Sequence, residues 1–138
     1  CDLWFCTSGL LHPRDRGADR CNHASTASRA NLKKGRVTVI TPTTESRQGF
    51  HEKLWACFEA QDWPDKELVV METYQRRSSA CFEARASSDP RLTYVGVQLP
   101  GDQDWSIGLK RNICVHYATG EFIVHFDDDD LYAVNYVP

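Results

Sequence analysis

Residues 121–130 read EFIVHFDDDD, and the fold turns on how this stretch divides. Glu121 to Phe126 is an apolar run with the β-branched and aromatic composition of a strand. On an extended chain Phe122, Val124 and Phe126 share one face, and Ile123 and His125 share the other. Asp127, Asp128, Asp129 and Asp130 follow with no spacer. Four adjacent carboxylates repel and raise one another's pKa unless solvent or a cation takes up the charge. Acidic runs are usually solvated turns. This one ends an apolar strand, and LYAVNYV (131–137) follows at once, which argues for packed surroundings.

Upstream, SIGLKRNICVHYATG (106–120) has a helical period, with Ile107, Arg111, Cys114 and Ala118 on one face. Gly120 stands where a C-cap glycine belongs. QLPGDQDW (98–105) is a loop, and RLTYVGV (91–97) has strand composition. SSACFEARASS (78–88) predicts a short helix closed by Asp89-Pro90. ELVVMET (67–73) is another apolar strand. Before it, Phe50, Leu54, Cys57, Phe58 and Gln61 form one helical face, which ends where Pro64 disfavours helix at Trp63. VTVIT (37–41) is a first buried strand, stopped by Pro42, and the following TTES supplies helix-start chemistry.

The order is therefore β-α-β-α-β-α-β. This predicts an α/β, Rossmann-like parallel sheet with helices on both faces. Right-handed crossovers put all four strand C-termini on one edge, the ligand edge of open α/β sheets. That edge gathers Thr41-Pro42-Thr43, Met71-Glu72-Thr73 and Asp127 to Asp130 from distant parts of the chain.

Composition sets the outer bounds. The chain has 138 residues, 41% hydrophobic and 25% charged, enough for one domain with a core. Its net charge of −3 is unevenly spread. Residues 1–36 carry seven Lys or Arg and three Asp, while the remainder is acidic. With no basic stripe on the acidic body, no nucleic-acid partner is expected. No apolar run approaches the ~18 residues of a membrane span. No signal peptide is visible, although the chain starts at Cys1 rather than Met. A soluble domain is expected, cytoplasmic or part of a larger membrane-associated enzyme. Residues 1–35 read as a polar, basic, weakly ordered extension, and 36–138 as the domain. Cys1, Cys6, Cys21 and His23 lie in the extension with a spacing that matches no zinc motif. Cys57, Cys81 and Cys114 fall inside apolar patterns and read as small core residues.

While strand geometry persists, Asp127 and Asp129 point one way and Asp128 and Asp130 the other. A pair of carboxylates at the mouth of a sheet suits Mg2+ or Mn2+, with substrate phosphates and water completing the shell. Asp127 and Asp129 are the expected metal pair, Asp130 supports them, and Asp128 faces nucleotide or solvent. The calcium loop of a helical hand does not fit, because Leu131 breaks the acidic spacing and no Gly follows.

RVTVITPTTES, ACFEAQDWPDKELVVME, DPRLTYVGV and SIGLKRNICVHYATGEFIVHFDDDDLYAVNYV together resemble the N-terminal, nucleotide-binding half of a GT-A glycosyltransferase, most similar to family 2. The resemblance covers residues 36–138. Its strongest element is Gly108 and the Arg111-Asn112 pair before a strand that ends in D-x-D-D and an aromatic residue.

The resemblance implies a nucleoside-diphosphate sugar donor, UDP-linked, held through Mn2+ or Mg2+ and transferred with inversion to an unknown acceptor. It implies that Asp127 contacts the ribose or uracil and that Asp129 ligates the metal. The metal would neutralise charge on the leaving diphosphate. Thr41, Pro42 and Thr43 would border the nucleoside, Arg111 would lie near base or phosphates, and Asn112 would brace the neighbouring loop. Glu72 stands where the family has the first of two aspartates, and Thr73 replaces the second. His125 reads as a strand histidine packed on a helix. The general base of an inverting transfer is expected beyond Pro138, with the acceptor half, so the chain reads as an incomplete enzyme. Two other classes compete. One is a degenerate nucleotide- or cation-binding module. The other is a metal-dependent phosphotransfer domain, whose usual aspartate after the first strand is here Thr-Pro-Thr.

Overall fold

The computed structural model describes residues 32–137, so Cys1, Cys6, Cys21, His23 and nearly all of the expected extension lie outside the described residues. β1 (Lys33–Thr44) leads through a 3-10 helix (Glu45–Phe50) into α1 (His51–Ala60). Then come β2 (Lys66–Tyr74), α2 (Ala80–Ala86), β3 (Leu92–Gln98), α3 (Ile107–Tyr117) and β4 (Gly120–His125). The sheet order is β3-β2-β1-β4, and every pairing is parallel. This is the α/β arrangement that the alternation predicts.

Strand alternation sorts the core into two layers. Val37, Val39, Leu68 and Val70 pack with Leu54, Phe58 and Phe82, under α1 and α2. Ile40, Val69 and Met71 pack with Cys114, under α3 on the opposite face. A sheet packed on both faces holds the strand ends in fixed relative positions.

β1 departs from its sequence reading at both ends. It starts at Lys33, where Gly35 adopts φ 77° and the register with β4 shifts between Lys33 and Val37. It also runs through Pro42 to Thr44, with Pro42 opposite Met71 of β2. The Phe126 amide donates to the Ile40 carbonyl at 3.1 Å, so residues of that parity turn their polar groups toward β4. Pro42 has the same parity, and β4 has ended at His125. The missing N–H of proline therefore costs no ladder bond there.

The expected face of α1 is buried from Leu54 to Gln61 and fails only at Phe50, whereas that of α3 is rotated. In α1 the buried residues are His51, Leu54, Cys57 and Phe58, while Phe50 is half exposed. The tighter 3-10 turn before His51 puts Phe50 out of phase with the α-helix that follows. In α3 the buried residues are Lys110 and Cys114, and Ile107 is exposed. Ser106 caps α3 by accepting from the Leu109 amide.

Gly120 is not a C-cap. It opens β4, and a Cβ there would stand 2.6 Å from Thr38 Oγ1 and 2.8 Å from both Arg36 O and Thr38 N. Close backbone approach explains this glycine.

Candidate functional site

The C-terminal strand edge carries two adjoining clefts that share Thr44 and Asp104 in their walls. The smaller holds about 410 Å³ and is lined by Pro42, Thr43, Arg47, Lys110, Arg111 and Asp127 to Asp129, among others. The larger holds about 720 Å³ and lies over the ends of β1 and β2, with Thr73, Gln75, Arg76 and Arg77 in its wall. The fold thus brings Pro42, Thr43, Arg111, Asp127, Asp128 and Asp129 to one cavity.

The acidic run is a turn and does not continue the strand. β4 ends at His125, and residues 128–129 form the turn, closed by the Asp130 amide on the Asp127 carbonyl at 3.4 Å. The i, i+2 alternation therefore does not reach the carboxylates. Asp127 turns to Arg111 (Nη2 to Oδ1, 3.3 Å), whereas Asp128 and Asp129 both meet Arg47. Asp128, expected to face nucleotide or solvent, is 4% exposed. Its Oδ2 accepts from Thr43 Oγ1 at 2.6 Å and its Oδ1 from Arg47 Nε at 2.7 Å. Asp129 is half exposed and pairs with Arg47 Nη2 at 2.5 Å. The hydrogen bond from Arg47 holds the Asp129 carboxyl below the usual carboxylate range.

Aromatic packing supports the turn. Phe126 is fully buried and stacks on Tyr132 at 3.8 Å between ring centroids. The Tyr132 hydroxyl accepts from the Asp127 amide at 2.6 Å. Gln61, at the end of α1, donates to the Ala133 carbonyl at 2.8 Å and accepts from the Val137 amide at 2.9 Å. The 131–137 segment is thereby tied to the body, and the turn sits on a fixed base.

Behind the acids runs a buried polar chain. Thr43 Oγ1 lies 3.0 Å from His51 Nε2, and His51 Nδ1 lies 2.8 Å from Ser79 Oγ. Thr43 donates to Asp128, so it accepts from a protonated Nε2, and Nδ1 accepts from Ser79. One neutral tautomer satisfies the whole chain. Burial pushes the His51 pKa below its ordinary value, against the opposing charges of Glu72 and Asp128. Ser79 also accepts from the Phe82 amide as the N-cap of α2.

Glu72 differs from its expected place beside the nucleoside. It points inward, fully buried, and lines neither cleft. Gln48 Nε2 donates to its Oε1 at 2.8 Å, the Ser79 amide donates to its Oε2 at 2.9 Å, and the Tyr94 hydroxyl also donates to Oε2. The strand parity that buries Leu68 and Val70 under α1 and α2 carries Glu72 to the same side. Thr41 is likewise fully buried and behind the cavity wall, with an Oγ1 that has no partner among the described residues. Asn112 is exposed on α3 and is not among the residues lining the cavity. His125 is exposed on the edge strand and does not pack under a helix.

Arg47, Lys110 and Asp104 were not singled out by sequence, yet they form much of the cavity wall. Lys110 is 3% exposed, and its Nζ donates to the Thr43 carbonyl at 3.0 Å. It also meets Asp104 Oδ1 at 2.8 Å and Oδ2 at 3.1 Å. Burial would raise the Asp104 pKa, but the bonds from Lys110 and Thr73 hold it below the usual range. The available signal was Lys110 four residues before Cys114, a buried pair at helical spacing. Arg47 carried no such signal, because its carboxylate partners are 81 residues or more away.

The donor chemistry fits a hard cation only in part. Asp127 and Asp129 offer half-exposed carboxylates to the cavity. Among the described residues, no group of three or more His, Cys, Asp or Glu is gathered as a ready metal cage. Two carboxylates with phosphate oxygens are the usual complement for Mg2+. No helix among the described residues is long and apolar enough to cross a membrane.

No family model matches the chain, and no curated protein matches it. Solved structures do match. The mannosyltransferase PcManGT from Pyrobaculum calidifontis, in complex with GDP-Man and Mn2+, aligns with a TM-score of 0.59 and 27% identity, over 74% of this chain and 30% of its own. S. aureus TarS aligns at 0.57 and 24% identity, over 72% of this chain and 18% of its own. TarS 1–349 in complex with UDP-GlcNAc aligns at 0.55 and 21% identity, over 70% and 27%. This chain spans 30% or less of the length of these proteins.

Proposed function

We propose that this chain, whose fold is that of the GT-A-like glycosyltransferases, is the part that binds a nucleoside-diphosphate sugar through a divalent metal for transfer to an acceptor. The observation that carries this reading is the convergence of Pro42, Thr43, Arg111 and Asp127 to Asp129 on one cavity at the C-terminal strand edge. The likeness to a mannosyltransferase structure in complex with GDP-Man and Mn2+ supports it.

In this reading Asp129, with Asp127, holds Mn2+ or Mg2+. A cation so bound supplies charge neutralisation to the leaving diphosphate. The rest falls to the protein. Pro42 and Thr43 border the nucleoside, and Thr43 fixes Asp128 in the wall. Arg111, 3.3 Å from Asp127, steadies that carboxylate and faces the phosphates. The larger cleft, over the ends of β1 and β2, adjoins this cavity through Thr44 and Asp104. UDP is the nucleotide we assign, and transfer with inversion is the outcome we assign, both from the family 2 resemblance.

A specific observation favours a second reading. Arg47 already sits on Asp128 and Asp129, as a permanent substitute for a metal would in a degenerate module. Isothermal titration with UDP, GDP, UDP-GlcNAc and GDP-Man, with Mn2+ or with EDTA, separates the two. We expect binding only with the metal, and loss of that dependence in Asp129→Ala. Metal-independent binding, or none, overturns the donor-site reading.

A further inference from the structure

Arg47 reaches the acidic turn by two legs of unequal strength. Its Nε donates to Asp128 Oδ1 at 2.7 Å, and its Nη2 pairs with Asp129 Oδ2 at 2.5 Å. The Asp128 side chain is 5% exposed and is also held by Thr43. The Asp129 side chain is 45% exposed. The first leg therefore works in sheltered surroundings, and the second is open to solvent and salt. The guanidinium itself lies over the Phe50 ring, its carbon 5.4 Å from the ring centroid. Guanidinium is planar and carries five donors, so the outer edge can be re-aimed while Nε keeps its bond.

The charges of the cavity wall say where that edge is needed. Arg47, Lys110 and Arg111 face Asp104, Asp127, Asp128 and Asp129. Lys110 is committed to Asp104 and the Thr43 carbonyl, and Arg111 to Asp127. The wall is net acidic, so it attracts a dication before it accepts a diphosphate. Once a dication sits on Asp129, the Arg47 outer edge has lost its partner beside the incoming anion.

We propose that Arg47 is a two-position residue: its outer edge holds Asp129, yields that carboxylate to an incoming divalent cation, and then binds the donor diphosphate while Nε stays on Asp128. This rests on the donor-site reading of the same cavity. It assigns a phosphate-binding role to a residue outside the aspartate motif, and it orders binding as metal first, nucleotide second.

The test uses the full chain in wild-type, Arg47→Ala and Arg47→Lys forms, with far-UV circular dichroism confirming that each folds. Mn2+ alone is titrated by electron paramagnetic resonance of the free ion. UDP is then titrated calorimetrically at saturating Mn2+. Losing a half-exposed ion pair predicts that Arg47→Ala binds Mn2+ about two- to fivefold more tightly. Losing a charge-assisted phosphate bond predicts that it binds UDP about ten- to a hundredfold more weakly. Arg47→Lys, with charge but no fork, should fall between wild type and Ala for UDP. Equal or weaker Mn2+ binding by Arg47→Ala overturns the proposal, and so does unchanged UDP affinity. Wild-type protein that binds both ligands while the variants match it sinks Arg47 alone. Wild-type protein that binds neither overturns the donor-site reading, and this inference with it.

Discussion

Thr43 donates its hydroxyl proton to Asp128 at 2.6 Å, joining the end of β1 to an acidic turn 85 residues later. The same oxygen accepts from His51. One threonine thus helps to hold Asp128 as the buried carboxylate of the run, while Asp127 and Asp129 stay half exposed at the cavity.

Removing that oxygen should leave both neighbours short of a partner. Thr43→Val keeps the shape but strands the His51 Nε2 proton and one Asp128 oxygen inside the protein. We expect a loss of about 1–3 kcal/mol, read from the urea midpoint at unchanged slope. Thr43→Ser should recover most of it. A Thr43→Val variant as stable as wild type would show that the bond carries no net weight.

Glu72 should behave as an internal brace. Its carboxylate accepts from Gln48, Ser79 and Tyr94 with no side-chain surface exposed. Burial, then the Glu72 contact, pushes the Tyr94 phenol pKa upward, so Tyr94 stays a donor. Glu72→Gln should cost about 1–3 kcal/mol of stability. Metal-dependent nucleotide affinity of the folded variant should stay within about twofold, as expected for uncoupled sites. A stable variant with lost affinity would restore the nucleoside role that the sequence suggests.

His51 should set a pH dependence of stability in the mildly acidic range. Its folded pKa is lowered from about 6.5, so below that pH the unfolded chain takes up the proton first. Stability is then lost as pH falls from 6.5 through the folded value. Carboxylates held low, such as Asp89 and Asp129, add their loss only below their unfolded value of 3.8. The melting temperature should fall between pH 7 and pH 5, and His51→Asn should flatten that slope. Equal slopes for both proteins would remove His51 as the cause.

Much of the architecture is legible in the sequence, because period and composition are local properties. VTVIT, ELVVMET, RLTYVGV and EFIVHF mark the strands, and their alternation with helical stretches implies a parallel sheet. The strand-end edge follows from topology, and with it the meeting of Thr43 and the aspartates. The limits of β1 were hidden, since the place of Pro42 depends on where a neighbouring strand stops. The phase of α1 was legible from Leu54 to Gln61, but the 3-10 turn that exposes Phe50 was hidden, and so was the buried lysine that turns α3.

The sequence by itself determined that an acidic run ends the last strand on the ligand edge of an α/β sheet. Strand periodicity, crossover handedness and the GT-A resemblance sufficed for that. Only the tertiary structure decided which aspartate is structural and which are open. The turn after His125 ends the alternation, and Arg47, Thr43 and Arg111 come from other elements to claim the carboxylates. Those pairings depend on three-dimensional approach across 81, 85 and 16 residues, which no local pattern encodes.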